Sequence, residues 1–117
     1  MAIVVALVDD LIFLSRIRSA AAGRPIEVRR VSAAQSLAAA CAETSPALVV
    51  VDLDAAARDP IRAVAALREA RPDARVVGFV SHVRDDLIVS ARDAGCEVLA
   101  RGAFVRELPA LLANLPG

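Results

Sequence analysis

Leu48-Val49-Val50-Val51 runs straight into Asp52 with no polar residue to break it. A strand with one wet face alternates apolar and polar residues; an unbroken apolar run is covered on both faces. Such strands belong to parallel sheets with helices packed above and below. In those sheets ligands and chemistry sit just outside the carboxyl ends of the strands, which puts Asp52 at the functional edge. Ile3 to Val8 is a second run of this kind, and it ends on Asp9 and Asp10. If the two strands are neighbours, three carboxylates meet at one end of the sheet.

The remaining residues alternate between strand and helix signals. The first strand is read at 2–8 and the first helix at 11–22, closed by Gly23 and Pro25. Ile26 to Val31 reads as a strand near the sheet edge with Arg29 or Arg30 exposed. Ser32 and Gln35 are spaced as a capping box for a helix that runs to about Glu43. After the central strand, Asp59 caps a third helix with Pro60 at its first position. Val76 to Val80 is a further buried run, ending at Ser81-His82. A fourth helix is read at about 84–94, a fifth strand at 96–100, and a fifth helix at about 105–115 with Pro109 in its first turn. Five strand–helix repeats imply a parallel sheet with right-handed crossovers, α/β in class and doubly wound. Strand order 2-1-3-4-5 sets the first and third strands side by side, with Asp9, Asp10 and Asp52 in one crevice.

A chain of 117 residues fits one domain, 1–117. The apolar runs are far shorter than the ~20 residues that span a bilayer, and no basic flank or cleavage site marks a signal peptide. The expectation is a cytoplasmic protein without a membrane partner. A net charge of zero gives no support to a nucleic-acid partner. Cys41 and Cys96 lack metal or redox spacing and read as buried thiols. All 14 basic residues are arginine, and lysine is absent. Abundant alanine and arginine suit a GC-rich genome, which points to a bacterial source.

Val8-Asp9-Asp10, Asp52, Ser81 and Ala94-Gly95, each at the end of its segment, resemble the receiver domain of bacterial two-component response regulators. The resemblance covers the whole chain and implies a flavodoxin-like (βα)5 fold and a stand-alone signalling domain, not an enzyme. It implies that Asp9 and Asp10, with Asp52, hold Mg²⁺. It implies that Asp52 accepts a phosphoryl group and that Ser81 supplies the switch hydroxyl. It also implies a protein partner, a sensor kinase or a downstream target, on the face built from the fourth helix, fifth strand and fifth helix; a homodimer is also admitted. The chemistry is consistent with these roles. Three close carboxylates repel and raise at least one pKa. Mg²⁺ is usually held by one or two carboxylates plus phosphate oxygens, and a carboxylate can attack phosphorus to give an acyl phosphate.

The chain departs from the family pattern. An ungapped count puts Gly102 where the family carries a lysine, with Arg101 before it, and arginine's planar fork is not a neutral replacement. Ala103 stands for the proline that follows. The loop after Asp52 lacks the family's usual Pro and Gly, and Ala57 and Pro60 stand where other residues are expected. Leu99 or Val98 takes the place of the aromatic switch residue. The same count puts Val80 at the hydroxyl position, so Ser81 needs a one-residue slip. These departures support an alternative: a pseudo-receiver that acts as an interaction module without phosphorylation. Asp52-Leu53-Asp54 also matches the opening of haloacid-dehalogenase-like phosphatases. That motif opens the first strand, however, its expected Thr or Val is Ala56 here, and no lysine exists for its later motif. His82, the one histidine, reads as a solvated loop residue. Leu87, Ile88 and Val89 are consecutive in the fourth helix and cannot all face the core, which makes them candidates for partner contact.

Overall fold

The computed structural model describes residues 1–55, 59–81 and 85–115. Ala57 and His82 therefore lie outside the described residues. Five parallel strands form one sheet: β1 (Ala2–Leu7), β2 (Ile26–Val31), β3 (Leu48–Asp52), β4 (Val76–Val80) and β5 (Glu97–Ala100). Their order is β2-β1-β3-β4-β5, as the sequence predicts. Five helices alternate with them: α1 (Leu11–Ala21), α2 (Ala34–Thr44), α3 (Pro60–Ala70), α4 (Asp85–Asp93) and α5 (Arg101–Ala113).

The central strands are buried on both faces because their side chains alternate between two cores. Val5, Leu7, Val49, Val51, Val76 and Val80 pack with α2 and α3. Val4, Ala6, Leu48, Val50, Val77 and Phe79 pack with α1 and α5. Gly78 faces the first of these cores, where a Cβ would come within 2.7 Å of Leu53 Cδ1 and 2.9 Å of Cys96 Sγ. Only a residue without a side chain lets β4 lie this close to the chain that follows β3. Both cysteines are free and buried. Burial pushes the Cys41 thiol up to about 11 and that of Cys96 up to about 12, so neither is a reactive thiolate at neutral pH.

Three local expectations differ from the fold. The N-cap of α2 is Ala33, with no side-chain cap bond, so Ser32 and Gln35 do not form the expected box. Asp59 does stand at the N-cap of α3, but in a left-handed conformation that gives no side-chain cap bond. The fifth helix starts at Arg101, four residues before the expected start, so Pro109 lies inside it and not in its first turn. Pro109 lacks the N–H that would bond to Val105 one turn earlier. Leu108 and Leu112 on either side of it are buried, and that packing holds the helix through the defect.

Candidate functional site

Four acidic residues gather at the carboxyl end of β1 and β3, and each is held differently. Asp10 is the N-cap of α1: its Oδ1 accepts from the backbone N–H of Ile12 at 2.9 Å and of Phe13 at 3.1 Å. Those bonds satisfy donors that a helix start leaves open. Its Oδ2 accepts from Arg101 Nη1 at 3.1 Å. The Phe13 backbone bond, then the Arg101 bond, hold the Asp10 carboxyl below its ordinary pKa. Asp9 lies 3.9 Å from Arg30 Nη2, and Arg30 Nε also donates to the Val8 carbonyl.

Asp52 ends β3 and is only 4% exposed, the one charged residue in the core among those described. Its Oδ1 accepts from the backbone N–H of Asp54 at 3.0 Å. Burial raises its pKa, and this outweighs the opposing pull of the Asp54 bond and the Arg101 charge. Asp54 Oδ2 accepts from the Ser81 N–H at 2.7 Å and from the Ser81 hydroxyl. It also lies 3.9 Å from Arg101 Nη2.

Arg101 links these groups. It is the first residue of α5, and its guanidinium reaches back over the sheet edge. The guanidinium carbon sits 4.7 Å from the Phe13 ring centre and 5.3 Å from that of Phe79. Phe13 stacks on Phe79 at 4.1 Å, and Phe104 of α5 packs against both. The floor of the cleft is thus aromatic and its rim acidic, and one planar cation satisfies both.

No family model matches the sequence, and no curated protein matches it. Solved structures do. A response regulator from Hahella chejuensis superposes with a TM-score of 0.83 at 16% identity, over 97% of this chain and 93% of that one. A CheY-like protein, tadZ, from Pseudomonas aeruginosa PAO1 gives 0.80 at 22% identity, over 99% of this chain and 100% of that one. A response regulator from Burkholderia pseudomallei gives 0.80 at 20% identity, over 96% of this chain and 66% of that one. Its structure holds a phosphorylated aspartic acid, a calcium ion and citrate. The fold is that of a receiver domain.

In this receiver fold Asp9, Asp10 and Asp52 do come to the same sheet edge. Their oxygens are largely engaged. Asp10 is spent on the α1 cap and on Arg101, Asp52 Oδ1 on the Asp54 amide, and Asp9 faces Arg30. Among the described residues, no three Asp, Glu, His or Cys side chains form a group that could hold a metal ion. As they stand, these side chains are not grouped to ligate one Mg²⁺ together; that ion takes near-octahedral oxygen ligands at about 2.0–2.1 Å, usually one or two carboxylates with waters and phosphate oxygens. Ser81 turns its hydroxyl to Asp54, not to Asp52.

Four contributors have no role assigned from the sequence: Asp54 enters only as part of a phosphatase motif, Arg30 only as an exposed edge residue, and Phe13 and Phe79 not at all. Arg30 carried a usable signal. In order 2-1-3-4-5 its strand borders β1; Arg30 pairs with Ala6, and from there its long side chain reaches the Val8 carbonyl and Asp9. Among the described residues, no helix is long and apolar enough to cross a membrane.

Proposed function

We propose that the chain is a receiver-like signalling module of the bacterial cytoplasm that acts by contact with a protein partner, and that this contact does not depend on a phosphoryl group. The observation that carries the reading is the Arg101 guanidinium, set between Asp10 and Asp54 on the aromatic floor of the cleft. A receiver that works by phosphorylation needs that cleft open to a phosphodonor and a cation. Here Ser81 and Arg101 both bind Asp54, so the hydroxyl and the positive charge are already committed. The face formed by α4, β5 and α5 suits a partner: Val89 is 57% exposed, while Ile88, Val98 and Leu99 are half-buried. The partner is a sensor kinase, a downstream target or a second copy of the chain.

A second reading has one specific support. Asp52 is buried at the end of β3 with its pKa raised, and a more basic carboxylate is a better nucleophile toward phosphorus. On that reading Asp52 accepts a phosphoryl group, and Asp10 would have to leave Arg101 for Asp9, Asp10 and Asp52 to hold Mg²⁺; the Burkholderia neighbour supplies the precedent. Incubation with Mg²⁺ and acetyl phosphate separates the two. Intact mass should show no added phosphate, and the backbone amide spectrum should stay as it was. Stoichiometric phosphorylation of Asp52, with shifts spreading through β4 and β5, would sink the first reading and establish the second.

A further inference from the structure

We infer that the Arg101 guanidinium is the resident cation of the acid cleft and takes the place of a divalent ion between Asp10 and Asp54, so that the cleft is complete without metal. The inference rests on the reading of the cleft given above. Its test uses no phosphodonor, so either can fail without the other.

Three observations carry it. The first is geometric: the two terminal nitrogens of one guanidinium address two carboxylates from different segments, Asp10 at 3.1 Å and Asp54 at 3.9 Å. A divalent ion bound by those carboxylates would have to lie in the space the guanidinium fills, against its positive charge. The second is the floor. Phe13 and Phe79 lie under the cation at 4.7 and 5.3 Å. Ring faces attract a weakly hydrated planar cation but offer no oxygen ligand to a hard ion. The third is desolvation: Arg101 Nε is buried and has no hydrogen-bond partner among the described residues. A buried unsatisfied donor costs free energy. The side chain therefore keeps this pose because the carboxylates and rings outweigh that cost, which is not how a solvated surface arginine behaves.

The consequence concerns α5. In this arrangement the first residue of α5 is tied to the cap of α1, to the segment after β3 and to β4. The position of α5 is then set by a covalently attached cation whose occupancy does not vary with the surrounding ion concentration.

The test is a Mn²⁺ and Mg²⁺ titration of the full chain, read by thermal melting at matched ionic strength and by paramagnetic broadening of backbone amides. The wild type should show no metal-dependent rise in Tm and no broadening localised to Asp10 and Asp54. Arg101→Ala should melt lower, then regain stability with Mn²⁺ and show broadening at those two amides, at concentrations that leave the wild type unchanged. Localised broadening in the wild type would overturn the inference. So would a folded Arg101→Ala protein as blind to Mn²⁺ as the wild type. If Arg101→Ala does not fold, Arg101→Gln, which keeps most of the aliphatic stem and loses the guanidinium and its charge, is held to the same criteria.

Discussion

Gly78→Ala tests whether the β3–β4 contact positions the cleft. The new Cβ would meet Leu53 Cδ1 at 2.7 Å and both Leu53 Cγ and Cys96 Sγ at 2.9 Å. Carbon atoms pack at about 3.5–4.0 Å, so Leu53 must retreat by roughly 1 Å. Leu53 is 2% exposed and Cys96 4%, so neither has open space to move into. Overpacking of this kind costs about 1–3 kcal/mol. Replacing a strand glycine returns about 0.5–1 kcal/mol of backbone entropy. The expected net loss is about 1–2 kcal/mol, and Tm should fall by about 3–10 °C in a chain of this size. Leu53 lies between Asp52 and Asp54, so the push should also reach the site. Urea unfolding gives the energy, and the amide signals of Asp54 and Ser81 report the displacement. Leu53→Ala alone should cost about 2–5 kcal/mol. Combined with Gly78→Ala it should cost clearly less than the two separate losses together, because the clash is gone. A Gly78→Ala protein as stable as the wild type, with additive behaviour in the double variant, would refute the tight contact.

Further outcomes follow from the site. The folded pKa of Asp52 is raised, so its protonated form is favoured by folding, and the stabilisation is present at low pH and lost as pH rises through the folded value. Asp52→Asn should therefore be more stable than wild type at neutral pH, with the advantage vanishing below the ordinary aspartate value of about 3.9 in a pH series of urea midpoints. Asp10 is shifted the other way, so its contribution is present above the ordinary value and fades as pH falls through the lowered one. Asp10→Asn retains a capping oxygen and should melt higher than Asp10→Ala. Arg101→Lys keeps the charge without the planar fork, and its Tm should fall between those of wild type and Arg101→Ala. Phe104→Ala removes a fully buried ring beneath the cleft and should cost about 3–5 kcal/mol by urea unfolding.

The strand order was legible because burial on both faces leaves a plain mark: Leu48 to Val51 and Val76 to Val80 contain no charged residue. The position of Asp52 followed from the same mark. The role of Arg101 did not. Reading Pro109 as a first-turn residue moved the start of the fifth helix past Arg101, which left it as a loop residue beyond a strand. Once Arg101 opens the helix, its side chain points back toward the preceding segment and over the sheet edge, as helical side chains do. Even then its end point depends on a long flexible stem, which local spacing does not fix. The pairing of Ser81 with Asp54 joins residues 27 positions apart and depends on how two loops meet. Ser32 illustrates the opposite failure. Its spacing to Gln35 suits a capping box, but the helix begins one residue later than that box requires.

The aromatic floor has a spectroscopic consequence. The chain contains three phenylalanines and no tryptophan or tyrosine. All three pack together, with Phe13 and Phe79 directly beneath Arg101. The near-ultraviolet circular dichroism contributed by aromatic side chains therefore originates at one place. Phenylalanine is a weak chromophore, but no stronger one is present to mask it. If that signal collapsed while the far-ultraviolet spectrum kept its helical shape, the packing under the cleft would have loosened with the backbone still folded. An unlabelled sample thus carries its own local reporter, placed where an occupant of the cleft would have to disturb it.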